Sequence, residues 1–223
     1  MELLPTSPAL LSRLVKRSGQ TRIALQEALG VSGPTVTRAA AELTELGILE
    51  AGHASAGGRG RPAESMVLRA KGLCSVGVSI RADRSSVRLL DANGRAVESV
   101  ELAISQDTEY VGAVGIIGEA ILGLAGRAAD SFAALAGVGI SFFGSADYER
   151  GMITEPSTFE AWHHKPLARD LETYTGLPTG IENYSIALVS AVNWFDAAEP
   201  EDFFLVVADY GIGGVSSIGG RPF

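Results

Sequence analysis

The sequence predicts two parts: a small winged helix-turn-helix head over residues 1–71 and an α/β body over residues 72–223. Three observations carry this. A helical apolar period runs from Thr21 to Ile48 and is broken at Gly30-Val31-Ser32. An Arg/Gly segment, Gly57-Gly58-Arg59-Gly60-Arg61-Pro62, follows it. From Leu73 onward, short apolar strands alternate with helical stretches.

In the head, Thr21 is placed to cap a helix running to about Leu29, because its hydroxyl can accept a free N–H of the first turn. Ile23, Leu25, Ala28 and Leu29 are expected as its buried stripe. Gly30 suits the left-handed stop after a helix. Val31 is expected to plug the core, and Ser32 to cap a second helix with Gly33 and Pro34 in its first turn. Val36, Ala39, Ala40, Leu43 and Ile48 form an inward face at helical spacing. Thr37, Arg38 and Ala41 fall outward. With Ser32 and Thr35 at the helix start, they make a small, polar, basic surface suited to the major groove of double-stranded DNA. Glu42 and Glu45 are expected to point away from phosphate. An ordinary capped helical hairpin would give the same pattern.

The Arg/Gly segment separates the two readings. Glycines flanking Arg59 and Arg61 let the backbone lie flat, and a narrow A·T-rich minor groove attracts arginine. Alone, the segment reads equally as a solvated linker. After a helix-turn-helix, with Ile48-Leu49-Glu50 as a wing strand, it reads as a DNA-binding wing.

Charge is unevenly spread. Residues 1–71 hold nine Lys/Arg against six Asp/Glu, a net of +3; residues 72–223 hold nine against twenty, a net of −11, which together return the −8 of the chain. A mildly basic head on an acidic body fits a DNA reader, since phosphate binding needs local cations only. The acidic body should avoid nucleic acid and anionic membranes. Cys74 is the sole cysteine, so no internal disulfide or multi-cysteine metal site is possible, and its setting in LCSVGVSI marks a buried strand position. His163 and His164 are adjacent and lack helical ligand spacing, so a surface loop is expected; His53 is the remaining histidine. No basic start precedes an apolar run at Met1–Pro5. No apolar stretch reads as long and unbroken enough to span a bilayer, and the chain is expected to be cytoplasmic with no membrane partner, no metal and no cofactor.

In the body, residues 73–80, 86–90 and 96–103 read as strands, with a hairpin turn at Asp91-Ala92-Asn93-Gly94. Residues 110–129 read as one long helix whose glycines at 112, 115, 118, 123 and 126 suggest close packing on a sheet. Strands at 135–142, 178–182 and 203–208 and helices at 166–174 and 186–195 complete the order.

This order, together with VSGPTVTRAAAELTELGILEAG (31–52), GGRGRP (57–62), LLDANGRAV (89–97), GVGISFFGSAD (137–147), WHHKPLARDLETYTGLPTGIEN (162–183) and YGIGGVSSIGGRPF (210–223), resembles the ROK family of repressors, open reading frames and sugar kinases. The resemblance covers nearly the whole chain. It implies an actin-like, RNase H-like body with a sugar cleft between two lobes. Family members with a winged head are regulators, often repressors released by a sugar; members without it are typically ATP-dependent sugar kinases. The resemblance also implies that residues 203–223 are only the first hairpin of the second lobe. The family's later sugar-binding Glu and His and its zinc motif are then missing.

Departures from the kinase pattern fall at three places. The family's Asp-x-Gly-Gly-Thr phosphate loop corresponds to Ser79-Ile80-Arg81-Ala82-Asp83, with neither glycine. The Glu-Asn-Asp motif that supplies the catalytic base reads Glu182-Asn183-Tyr184, and a phenol with a pKa near ~10 is a poor base at neutral pH. The second phosphate loop reads Asp209-Tyr210-Gly211-Ile212-Gly213, which puts a carboxylate against nucleotide phosphate. A carbohydrate-related transcription regulator without catalytic residues is expected, a sugar kinase being the alternative. By resemblance, Gly144 and Asn183 line the ligand cleft, for a sugar or sugar-phosphate effector, and Thr158 lies near a family contact position. Asn183 could equally satisfy its own turn. Trp162 reads as core or as a stacking platform. Glu155, Glu160 and Asp147 show no pairing pattern and read as solvated. A homo-oligomer, most simply a weak dimer, is expected on DNA.

Overall fold

A computed structural model describes residues 3–52, 64–195, 202–209 and 211–223. The chain divides into two compact units. One comprises Met1–Leu73 with Ser131–Ala134, the other Cys74–Asp130 with Leu135–Phe223.

The first unit packs three helices, α1 (Ser7–Lys16), α2 (Arg22–Leu29) and α3 (Gly33–Glu45), with a small antiparallel sheet of β1 (Gln20–Thr21), β2 (Leu49–Gly52) and β3 (Ser65–Leu68) in the order β1-β3-β2. Thr21 caps α2 as expected, its hydroxyl accepting the Ala24 N–H at 3.3 Å. Gly30 ends the helix at φ 64°, a left-handed conformation that glycine takes without steric cost. The core holds Leu10, Leu14, Leu25, Val36, Ala39, Leu43, Ile48 and Leu49, all nearly inaccessible. Burial of each large apolar side chain contributes about 1.5–3 kcal/mol.

Three details differ from expectation and one, at Glu42, agrees with it. Ile23 and Ala28 are exposed, and Leu25 is the buried residue of α2. Residues two apart on a helix point about 200° apart, so Ile23 cannot share the face of Leu25. Ser32 occupies the N-cap of α3 but makes no capping bond; its hydroxyl lies 2.7 Å from that of Thr35 instead. Glu42 does turn away from the outer face of α3. Its carboxylate takes the Leu4 N–H at 3.0 Å and the hydroxyl of fully buried Ser7, tying α3 to the start of α1. Helix α1 itself was not anticipated, although Leu10 and Leu14 stand one helical turn apart.

The second unit is built on a five-stranded sheet in the order β10-β7-β4-β5-β6. Its strands are β4 (Leu73–Ile80), β5 (Ser85–Asp91), β6 (Ala96–Leu102), β7 (Ala134–Phe142) and β10 (Thr179–Asn183). β4, β5 and β6 pair antiparallel, and β7 and β10 pair parallel. The turn between β5 and β6 closes as expected: the Asp91 carboxylate accepts the N–H groups of Asn93 and Arg95, both at 2.9 Å.

Helix α4 (Tyr110–Ala129) packs on β5, β6 and α5 (Leu167–Thr175), burying Ala113, Ile117, Ile121 and Leu124. By length and composition α4 could cross a membrane, contrary to the expectation that no such stretch exists; here it covers a sheet. Its glycines do not all serve close packing. Gly118 alone is crowded, and the neighbour is α5: a methyl group there would stand 2.5 Å from the Tyr174 ring.

A hairpin of β8 (Gly144–Asp147) and β9 (Met152–Pro156), absent from the strands read in the sequence, follows β7. Behind it, Phe142, Phe159 and Trp162 form an aromatic core, with Phe159 and Trp162 centroids 4.6 Å apart. Trp162 is fully buried and donates its indole N–H to the Thr108 carbonyl at 2.9 Å, so it is core. Helix α6 (Tyr184–Phe195) packs on β10 and on a second sheet of β11 (Phe203–Ala208), β12 (Ile212–Ile218) and β13 (Arg221–Pro222). That sheet leaves Phe204, Val206, Ile212 and Ile218 exposed.

Candidate functional site

In the first unit, Thr37, Arg38 and Ala41 lie exposed along one side of α3; Ser32 is exposed at its start and Thr35 is half-buried. β2 and β3 rise beside this helix, and at their far end Arg22 of α2 pairs with Glu64 at 2.8 Å. Arg59 and Arg61 lie outside the described residues, as does His53.

In the second unit, a cleft of about 310 Å³ is lined by Gly144, Thr158, Asn183, Tyr184, Ile212 and Gly213 among others. The sheet positions these groups. β10 ends at Asn183 and α6 begins at Tyr184, while β8 starts at Gly144 directly after β7. Gly144 has φ 153°, and a methyl group there would lie 2.7 Å from the Glu155 carbonyl, so no other residue fits without moving β9.

The two ligand candidates are bonded to each other: Asn183 Nδ2 donates to the Gly144 carbonyl at 2.7 Å. Asn183 Oδ1 accepts the N–H groups of Ser185 at 2.8 Å and Ile186 at 3.3 Å, capping the first turn of α6. Thr158 Oγ1 is buried without a hydrogen-bond partner, an atom still able to donate and accept. Glu155 and Glu160 are exposed, while Asp147 accepts the Arg150 N–H at 2.9 Å within its turn. His163 and His164 are exposed, with ring centroids 4.0 Å apart.

The three departures from the kinase pattern meet at one guanidinium. Arg81 donates from Nη1 to the Tyr184 hydroxyl at 3.0 Å, pairs through Nη2 with Asp209 at 2.7 Å, and pairs through Nε with Asp83 at 3.2 Å. The hydrogen bond from Arg81 holds the Asp83 carboxyl below its ordinary pKa. Ser79 lies two residues before Arg81 and lines the adjacent cavity with it. Sequence reasoning took these positions as separate losses; positions 81 and 184 are 103 residues apart, and no local pattern joins them.

Arg81 thus engages two carboxylates and a phenol through all three of its guanidinium nitrogens. No group of three or more His, Cys, Asp or Glu among the described residues could hold a metal ion.

The fold of the body, a β–β–β–α–β sheet with a second hairpin lobe, is the ROK-type α/β actin-like fold. The chain belongs to the ROK family, whose model matches residues 75–223. Among curated relatives, an uncharacterized protein, y4fQ, of Sinorhizobium fredii is 26% identical over 100% of this chain and 57% of its own length. The DNA-binding transcriptional repressor Mlc of Escherichia coli is 25% identical over 95% of this chain and 53% of its own length. A glucokinase of Thermotoga maritima is 28% identical over 62% of this chain and 43% of its own. A solved ROK family transcriptional regulator, a homologue of the E. coli Mlc protein, shares the fold with a TM-score of 0.76 at 16% identity, over 96% of this chain and 54% of that one. The chain spans about half the length of the curated relatives it matches.

Proposed function

We propose that this chain is a DNA-binding transcription regulator, a repressor of carbohydrate-related genes. In this reading residues 1–71 form a winged helix-turn-helix and residues 72–223 part of a ligand-sensing ROK body. The observation that carries it is the solvent face of α3, where Thr37, Arg38 and Ala41 stand clear of every core contact while the opposite face is fully buried. Ser32, Thr35, Thr37 and Arg38 would enter the major groove, and Arg59 and Arg61 an adjacent minor groove. The similarity to the Mlc repressor over 95% of the chain supports the reading.

The body is read as a cytoplasmic sensor, not an enzyme. Its cleft takes a sugar or sugar-phosphate effector between Gly144, Asn183 and Thr158, and two chains act together on DNA as a weak dimer. Gel-shift titration against DNA from the neighbourhood of the chain's own gene, at several salt concentrations, tests the proposal; binding with no sequence preference at any salt concentration would sink it.

The second reading is a sugar kinase, favoured by the similarity to the Thermotoga maritima glucokinase. Against it stand Arg81, Tyr184 and Asp209, which occupy one another at the positions where phosphate and base are needed.

A further inference from the structure

Beside the effector cleft, and sharing Tyr184 with it, lies a second cavity of about 580 Å³. This volume lies within the usual ~300–1,000 Å³ of small-molecule sites. Arg81 follows the last residue of β4, Arg84 precedes the first of β5, and Arg88 sits within β5. All three line the cavity, with Ser79, Ser86 and Ser141. Ser86, Arg88 and Leu90 alternate along β5 and therefore share one face of the sheet. Asp83 lines the cavity with this group and Asp209 pairs with Arg81 from beside it; Glu101 and Glu182 stand in register with the lining residues Ser86 and Ser141 on the neighbouring strands. No ion pair among the described residues involves Arg84 or Arg88.

Three guanidinium groups around one cavity are an exception in a body of net charge −11. Arg81 is already paired with Asp83 and Asp209, so the unmatched positive charge is that of Arg84 and Arg88, which an anion would neutralise. Guanidinium is planar and matches the paired oxygens of a phosphate or carboxylate. The serine hydroxyls supply neutral donors and acceptors for the remainder of a polar molecule.

We propose that this cavity binds a small oxyanion, a phosphate ester or carboxylate on a polyol-sized molecule, held by Arg84 and Arg88 and competing with Asp209 for Arg81. The arrangement differs from a nucleotide loop, because side-chain guanidinium groups and not backbone N–H groups hold the charge. It does not rest on the DNA-binding reading and survives if that reading fails.

Isothermal titration of the chain with inorganic phosphate, a hexose 6-phosphate, a hexuronate and the neutral hexose, at matched ionic strength, tests it. Saturable binding of an anionic sugar at least tenfold tighter than the neutral hexose is expected, and the choice between ester and carboxylate identifies the source of the charge. Arg84→Ala with Arg88→Ala should weaken that binding at least tenfold, the Arg84→Lys and Arg88→Lys pair should retain part of it, and Asp209→Asn should tighten it several-fold. Thermal melting confirms that each variant is folded. The proposal is overturned if no anion binds saturably, or if the double alanine variant, still folded, binds as well as the parent chain.

Discussion

Asn183 donates its side-chain amide to the Gly144 carbonyl at 2.7 Å and so joins the end of β10 to the start of β8. Its Oδ1 meanwhile caps α6 through Ser185 and Ile186. The amide has two N–H groups, and this bond takes one. Structural and ligand-binding roles for Asn183 are therefore compatible.

Asn183→Ala should destabilise the body by about 1–3 kcal/mol, combining the loss of a helix cap with that of a partly buried hydrogen bond. Urea denaturation followed by tryptophan fluorescence reads this, since both tryptophans, buried Trp162 and partly exposed Trp194, lie in the body. A change below about 0.5 kcal/mol would mean the three bonds contribute nothing net.

Arg38→Ala should weaken specific DNA binding by about 1–3 kcal/mol and relax base preference, as expected for a major-groove contact. The pair Arg59→Ala and Arg61→Ala should reduce the preference for A·T-rich flanks instead. Gel shifts on operator variants distinguish the two; unchanged affinity in both variants removes the DNA-reading model.

No ATP-dependent sugar phosphorylation is expected in a coupled assay across common hexoses and amino sugars. Arg81 holds both Tyr184 and Asp209, the positions where the kinase pattern needs a base and a phosphate loop. Turnover above background that disappears in an Asn183 variant would contradict this.

Burial in β4 pushes the Cys74 thiol up from an ordinary 9.0 to about 11. The folded pKa exceeds the unfolded one, so the folded state holds the proton longer. The resulting stability is fully present below pH 9 and is lost as pH rises through about 11. Native chain at pH 8 should therefore label with a thiol reagent far more slowly than chain in urea. Equal rates would show that Cys74 is accessible in the fold.

A weak dimer is expected, with DNA binding that depends steeply on protein concentration. Light scattering over a dilution series measures it. A discrete dimer persisting at nanomolar concentration would show instead that these 223 residues already hold a complete dimer interface.

Much of the fold was legible because its signals are local. The bounds of α4 follow from composition, and the stop at Gly30 follows from the conformation that only glycine takes freely. The β8–β9 hairpin was not legible, because Gly144-Ser145-Ala146-Asp147 carries no apolar alternation. Ser32 stands at the N-cap of α3 as its residue type suggests, but its hydroxyl is taken by Thr35 one helical turn on and makes no capping bond. Within the site, Asn183 and Gly144 could be proposed one at a time from resemblance, but their bond depends on the parallel pairing of β10 with β7. The gathering at Arg81 was legible only as three unrelated oddities, since its members come from β4, α6 and the end of β11.

The Arg81–Asp209 pair also bears on how this chain could have diverged from its relatives. Both side chains are about three-quarters shielded from water, at 23% exposure each. An aspartate at 209 facing glycine at 81 would leave a largely desolvated charge unmatched, whereas Arg81 without Asp209 would still have Asp83. Asp209 alone is thus the disadvantaged intermediate, and the acid is best gained after the arginine. Among near relatives, lineages with an acid at 209 should keep Arg81, and lineages with a glycine-rich first loop should lack that acid.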